Sequence, residues 1–258
     1  MNVVVVSPSY KRADKITTHK YLPFVKYYVD ESEAEEYRKH NPGVEVVACP
    51  SGIQGNVCRV RNYILDREFE AGADAVVMLD DDLKGIYYWE NMERKEVKRE
   101  EFLWFIEKYS ILAREWGARM WGVNVNPDKQ VYREYSPFTT KSPVLGPFQV
   151  HLRESDIRYD ERLLLKEDYD ISLQHLNRYR VLLRVMKAYY ECKQSEQAGG
   201  CAVYRNLERE KEQLLLLRKK WGKEIVRIDK ERDRSHKAKR ERKTIDYNPI
   251  IRVPIKGV

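Results

Sequence analysis

Ala75-Val76-Val77-Met78-Leu79-Asp80-Asp81-Asp82 decides the fold. Five apolar residues run unbroken and three acids follow at once. A short unbroken apolar run suits a strand covered on both faces, as in parallel sheets flanked by helices. Three adjacent carboxylates repel one another and need a cation or solvent to offset their charge. Hard oxygen donors suit Mg²⁺ or Mn²⁺, ions that commonly bridge to substrate phosphates. In extended backbone Asp80 and Asp82 share a side and Asp81 points the other way. Asp80 and Asp82 are therefore the candidate metal ligands. The plain alternative is a polar turn that caps the next element.

Upstream, Val3-Val4-Val5-Val6 is a β-branched strand run that ends in the polar loop Ser7-Pro8-Ser9-Tyr10-Lys11-Arg12. A strand is expected over 24–29, a helix over 31–40, stopped by Asn41-Pro42-Gly43, and a strand over 44–48. A helix over 56–70 then leads into the apolar run at 75–79. Strand and helix alternate with short connections, which predicts an α/β fold with a mostly parallel central sheet flanked by helices. Ligands of such sheets bind outside the carboxyl ends of the strands. Both the 7–12 loop and the aspartates fall at that edge.

Downstream the pattern is more mixed. Helices are expected over 100–116, 168–179 and 207–221, and strands over 120–124, 147–152 and 180–190. A loop is expected over 197–200 and a short strand over 250–255. This reads as a smaller mixed region on the acceptor side. The division expected is one domain over 1–221 and a basic C-terminal segment, 222–258, packed on it.

The chain has 258 residues, 42% of them hydrophobic, enough for a real core. No apolar run approaches a membrane span, and the N-terminus lacks the charged region and cleavage site of a signal peptide. A soluble, cytoplasmic protein without membrane contact is expected. Cys49, Cys58, Cys192 and Cys201 show no Cys-x-x-Cys spacing, which argues against a zinc knuckle. Net charge is +7, but residues 218–243 hold thirteen Lys/Arg against five acids, a local +8 that leaves the remainder at −1. The basic character belongs to one segment, which suits a polyanion such as nucleic acid or, equally, a solvated helix face.

The order of these features resembles the N-terminal plan of GT-A glycosyltransferases, a Rossmann-like fold. The 3–12 stretch resembles that family's first strand and nucleotide-binding loop, and Asn56-Val57-Cys58-Arg59-Val60-Arg61-Asn62 its helix start facing the diphosphate. Leu79-Asp80-Asp81-Asp82 matches its Asp-x-Asp motif. Tyr159-Asp160-Glu161, then Lys166-Glu167-Asp168-Tyr169-Asp170, resembles its later acidic motif. More narrowly, Ser7-Pro8-Ser9-Tyr10-Lys11-Arg12 and Glu167-Asp168-Tyr169-Asp170 resemble the TET/JBP-associated glycosyltransferases of phages. That resemblance implies a metal-dependent transfer of a sugar from a nucleoside-diphosphate donor, UDP-linked, to a hydroxyl. It implies 5-hydroxymethylpyrimidine in DNA as acceptor, with a glycan or protein as the alternative.

Site residues follow. Ser7, Ser9, Tyr10 and Arg12 are candidates for holding the nucleotide, together with Asp80 and Asp81. Arg59 and Arg61 cannot both face one way on a helix start. Arg59 is taken as the phosphate ligand, with Asn62 on its face. Glu167 and Asp168 are candidate catalytic bases, Asp168 preferred. The plain alternative is that they favour the positive end of a helix. His151, His175 and His236 are possible further metal ligands, and Tyr87-Tyr88-Trp89 a possible pocket wall. A nucleotidyltransferase is the rival enzyme class, disfavoured because residues 7–12 lack glycine. A non-enzymatic nucleic-acid binder leaves the aspartates without a purpose.

Overall fold

Val3–Pro8 (β1) and Ala75–Leu79 (β4) lie side by side in parallel, Val3 opposite Ala75 and Val6 opposite Met78. This pair is the spine of the molecule. The computed structural model describes residues 1–125, 127–128, 132, 134–192, 200–228 and 247–254.

Along the chain, β1 leads to the short helix α1 (Thr18–Tyr21), β2 (Lys26–Asp30), α2 (Ala34–His40), β3 (Glu45–Cys49) and α3 (Val57–Glu70) before β4. After β4 come the hairpin β5 (Leu83–Glu90) and β6 (Glu93–Glu96), then α4 (Arg99–Glu115), β7 (Met120–Asn124) and β8 (Phe138–Thr139). The chain continues with β9 (Phe148–Leu152), α5 (Glu167–Tyr179), β10 (Leu183–Cys192) and a 3-10 turn at Gly200–Val203. Helix α6 (Leu207–Trp221) and the small pair β11 (Val226–Arg227) and β12 (Ile250–Ile251) complete the described fold.

The large sheet runs β3-β2-β1-β4-β9-β7-β10-β5-β6, with β8 beside β10. The first four strands are mutually parallel, as the β-α-β alternation predicts. β9 enters antiparallel to β4 and β7, which produces the mixed half expected on the acceptor side. Burial follows the two-residue period of a strand. Val5, Val77 and Leu79 pack on the α4 side with Phe102 and Ile106, while Val6, Val76 and Met78 pack on the α3 side with Ile64 and Leu65. Each such fully buried side chain is worth roughly 2 kcal/mol of apolar burial.

α3 begins where Asn56 caps it: its Oδ1 accepts from the backbone N of Cys58 at 3.0 Å and of Arg59 at 3.4 Å. That cap fixes the start of the helix at the edge where the strands end. α6 is tied to α5 through Asp170, a fully buried acid that accepts from Trp221 Nε1 and Lys220 Nζ. Leu214, Leu217 and Val226 pack on Leu163 and Leu173, so the chain just beyond 221 rests on the same body. Of the strand expected over 250–255, Ile250–Ile251 forms; residue 255 lies outside the described residues, as does the basic run 237–243. Among the described residues no helix is long and apolar enough to cross a membrane.

Candidate active site

The aspartate turn leaves β4 and is clamped from behind by the loop after β1. Thr17 N and Thr18 N donate to the Asp81 carbonyl at 2.8 and 3.2 Å. Thr18 Oγ1 donates to the Asp80 carbonyl at 2.7 Å and accepts from Leu83 N at 2.9 Å. With its backbone groups satisfied, the turn presents its side chains in fixed directions.

Asp81 turns toward the β1 loop. Its carboxylate accepts from Ser9 Oγ at 2.5 Å and pairs with Arg12 Nη1 at 2.9 Å. A serine hydroxyl has one proton, so Ser9 spends it on Asp81 and accepts from Tyr37 Oη at 2.8 Å; Tyr37 Oη accepts from Arg12 N at 3.0 Å. Asp81 is thus held by the protein itself. Asp80 and Asp82 face the cleft. Asp82 is 5% exposed, and burial, then repulsion from Asp80 and Asp81, pushes its carboxyl up to about 7. It has no side-chain hydrogen bond or ion pair to another residue among the described residues.

Those two carboxylates fit a divalent ion. Asp82 is buried without a cationic partner among the described residues, and Asp80, open to the cleft, has only Arg61 at 3.6 Å, so the two mutually repelling oxygens are a hard-donor pair that such an ion would complete. Among the described residues no group of three or more His, Cys, Asp or Glu is arranged to hold a metal. Two carboxylates are nevertheless sufficient for Mg²⁺ or Mn²⁺, which keep waters and take substrate phosphates as the remaining ligands.

Across the cleft, α5 opens with Glu167 and Asp168. Glu167 accepts from Arg61 Nη1 at 3.2 Å. Asp168 accepts from the backbone N of Tyr169 at 2.8 Å and of Gly146 at 3.3 Å, which fixes its orientation. Burial raises the carboxyls of both above their ordinary range; for Glu167 the neighbouring Asp168 adds to the rise and Arg61 opposes it. Arg61 joins the two acidic walls, with Nη2 3.6 Å from Asp80 and the guanidinium 5.5 Å from the Tyr159 ring. It is 3% exposed. Burial alone would disfavour its charge, but Tyr159, Glu167 and Asp80 together more than offset that.

The roof is Gly200–Val203 and the residues after it. Gly200 N donates to the Tyr10 carbonyl at 2.8 Å, and Gly200 sits at φ +53° where a Cβ would lie 3.1 Å from the Arg12 guanidinium carbon. Cys201, Tyr204 and Arg205 follow along the cleft. Burial and the charge of Glu167 push the Cys201 thiol up to about 11; burial and the charges of Asp80 and Asp82 push Cys192 up to about 12. Both thiols are therefore protonated at neutral pH and are poor nucleophiles. The whole encloses about 580 Å³, room for a nucleotide sugar.

The expected residues divide between this cleft and the scaffold. Ser9, Tyr10, Arg12, Asp80, Asp81, Asp82, Glu167 and Asp168 all line it. Ser7 does not: it is buried in β1 and its Oγ has no hydrogen-bond partner among the described residues. The two arginines of α3 are placed the other way round from the expectation. Arg59 is exposed, paired with Glu161 at 3.2 Å and bonded to the Gly52 carbonyl, while Arg61 enters the cleft. Asn62 is bonded twice to the backbone of Tyr159, at 2.7 and 2.9 Å, and acts as a clamp outside the cleft. His151 bonds Tyr159 and His175 bonds Ser155, both in the core; His236 lies outside the described residues. Tyr87 and Trp89 pack against Tyr189 on the sheet and do not line the cleft. Gly146 carried no local motif in the sequence; Gly200 and Cys201 fell in the glycine-paired stretch 197–201, readable as a loop over the site or an ordinary turn, and Arg61 fell in the 56–62 helix-start motif. The signal that selects Arg61 over Arg59 is its place on the apolar stripe of α3 with Ile64 and Leu65.

The chain resembles solved α/β structures at low identity. TarS 1–349 of S. aureus in complex with UDP is 15% identical with a TM-score of 0.46, covering 74% of this chain and 59% of that one. Glucosyl-3-phosphoglycerate synthase of Mycobacterium tuberculosis, in complex with Mn²⁺, UDP and glucosyl-3-phosphoglycerate, is 12% identical with a TM-score of 0.48, covering 75% and 72%. This chain thus spans less than two thirds of the TarS structure. No curated protein matches it in sequence. The family comparison reaches further: residues 3–200 match TET-associated glycosyltransferases, a span that takes in the β1 loop, the aspartate turn and the Glu167–Asp168 wall. A match over that much of the chain places this protein in the TET-associated glycosyltransferase family.

Proposed function

We propose that this glycosyltransferase moves a sugar from a UDP-sugar to the hydroxyl of a 5-hydroxymethylpyrimidine in DNA. The observation that carries the reading is the opposition, within one cleft, of the Asp80–Asp82 turn and the Glu167–Asp168 wall across Arg61. One wall suits a departing diphosphate and the other a hydroxyl that must lose a proton.

Asp80 and Asp82 would hold Mn²⁺ or Mg²⁺, which when bound supplies positive charge to the diphosphate leaving group. Arg61 and Arg12 add fixed positive charge on the same side, already oriented by their acidic partners. Tyr10 and Ser9 border the nucleotide end of the cleft, and Ser9 acts there by orienting Asp81. Asp168 is the proposed base. Its two backbone hydrogen bonds fix its orientation, and its raised carboxyl is a better proton acceptor at neutral pH than an ordinary aspartate. Glu167, paired to Arg61, keeps that guanidinium in place. The DNA acceptor is supported by the family's association with TET and by the basic stretch 218–243 in the sequence.

The test incubates the protein with Mn²⁺, a panel of nucleotide sugars and DNA with or without hydroxymethylcytosine, followed by mass spectrometry of the digested nucleosides. A hexose mass on hydroxymethylcytosine alone, with release of UDP, is the expected result. Transfer to a glycan or a protein with unmodified DNA would overturn the acceptor assignment.

A further inference from the structure

A second cavity of about 600 Å³ lies behind the aspartate turn. Its cations come from three separate elements: Lys20 from α1, Lys84 from β5, and Lys98 and Arg99 at the start of α4. Glu96 and Glu100 also border it, so four positive charges face two negative ones. The lysines of this groove differ from four others in the fold. Lys26, Lys95, Lys166 and Lys220 are each paired with a carboxylate. The ammonium groups of Lys20, Lys84 and Lys98 have no such partner among the described residues, and all three side chains are exposed. Arg99 is anchored: its guanidinium donates to the Tyr21 carbonyl at 3.2 Å and the Lys20 carbonyl at 3.4 Å, which fixes one cation against the end of α1.

The groove adjoins the backbone of the aspartate turn. Thr17 lines it while its backbone N bonds Asp81, and Leu83 and Lys84 follow Asp82 directly. The charge of Lys84 is felt at the Cys192 thiol inside the cleft. One loop, from Ser9 to Thr17, therefore borders both cavities.

We infer that this groove binds the sugar-phosphate backbone of the acceptor nucleic acid next to the nucleotide being modified. The inference rests on the DNA reading of the acceptor given above. Unpaired lysines spread along a groove match a chain of phosphates, and each phosphate neutralised releases a counterion. The cleft itself is rich in carboxylates and does not attract phosphates. A strand gripped at Lys20, Lys84 and Lys98 places its neighbouring base at the cleft mouth. In a duplex that base must leave the stack to be reached.

The test uses the full chain and a fluorescein-labelled single-stranded 20-mer. Fluorescence anisotropy gives its affinity across 50–200 mM NaCl for the wild type, the double variant Lys20→Glu/Lys98→Glu, and the control Lys39→Glu/Lys211→Glu, which makes the same charge change at exposed positions outside both cavities and outside the basic stretch 218–243. The groove variant should bind on the order of tenfold more weakly, with a salt slope shallower by about 0.7 for each phosphate that is no longer neutralised. The control should stay near wild type. Donor hydrolysis and transfer to the free nucleoside should be unchanged in the groove variant, which also shows that it folds. Equal affinity and equal slope in groove variant and control would overturn the groove while wild-type DNA glycosylation leaves the function standing. A wild type that binds polyglutamate as tightly as the oligonucleotide would overturn it in favour of an acidic protein partner. A wild type that neither binds nor modifies DNA would overturn both.

Discussion

Replacing Arg61 with methionine keeps most of the apolar stem and removes the guanidinium 3.2 Å from Glu167 and 3.6 Å from Asp80. Arg61 is 3% exposed and Glu167 8%, so water does not take over from the missing partner. Stripping one member from a buried ion pair costs about 3–5 kcal/mol. Asp80 sits at the cleft mouth with 38% of its side chain accessible, so water recovers part of its share. The expected loss at pH 8 is therefore at the low end, about 3 kcal/mol. Its pH dependence separates electrostatics from packing. Glu167 is already raised by burial and by Asp168, and Arg61 is what opposes the rise. Without Arg61 the carboxyl rises further, and the variant's native state holds a proton at pH values where the wild type has lost it. Stability then falls more steeply with rising pH in the variant, and the gap to wild type narrows as pH falls toward 5. Urea unfolding followed by tryptophan fluorescence at pH 5 to 8 measures this. A gap below about 1 kcal/mol at pH 8, or one that does not change with pH, would refute the reasoning. Arg61→Lys should fall between, because an ammonium lacks the fork that reaches two carboxylates.

Asp82→Asn should separate stability from activity. A carboxyl raised to about 7 in the fold is destabilising once pH exceeds its ordinary value, and fully so above 7. The asparagine variant should gain up to about 4 kcal/mol at pH 8 and little at pH 4. Its Mn²⁺-dependent donor turnover should fall at least about a hundredfold; thermal melts and UDP release check the two halves. His175 is held at about 4 by burial, so the unfolded chain binds the extra proton between about 4 and 6.5. Wild type should lose up to about 3 kcal/mol as pH falls through that window. His175→Gln should lose distinctly less, read from urea midpoints. Gly200→Ala places a Cβ 3.1 Å from the Arg12 guanidinium carbon, at φ +53°. It should cost about 1 kcal/mol and weaken donor binding by displacing Arg12; isothermal titration with UDP giving wild-type affinity would contradict that.

Much of the parallel half, β1 to β4, was legible because local pattern and tertiary role agree there. The runs at β1 and β4 are apolar on both faces because helices cover both faces, and the aspartates follow because the strand ends at the ligand edge. The choice between Arg59 and Arg61 was not settled by the same logic. Two residues on a helix differ by about 200°, and the motif named the helix start without naming its buried side. Arg61 lies three and four residues before Ile64 and Leu65, both fully buried, so an arginine there needs acidic partners in the core. Arg59 and Asn62 instead face the 159–161 segment. The β5–β6 hairpin escaped notice for another reason. Its turn needs left-handed backbone at Asn91 and Met92, φ 52° and 63°, and methionine gives no sign of that. The roof from Gly200 is set by a bond to Tyr10, 190 residues away, which no local pattern encodes.

The charges of the cleft constrain the order in which substrates bind under the proposed function. Asp80, Asp81, Asp82, Glu167, Asp168 and Glu191 line it against Arg12, Arg61 and Arg205, so its formal charge is negative. A diphosphate entering alone meets repulsion that a divalent ion on Asp80 and Asp82 would relieve, so donor and ion belong together. The phosphates of the acceptor get no such relief and must be drawn by cations outside the cleft, which the lysine groove behind the aspartate turn supplies. Salt therefore acts on the two substrates unequally. Between 50 and 200 mM NaCl, the KM for DNA should climb steeply, since every neutralised phosphate adds to the slope. The KM for the donor, neutralised at short range by buried groups that salt screens weakly, should barely move. Equal salt dependence of the two would mean that the acceptor is not held through its phosphates.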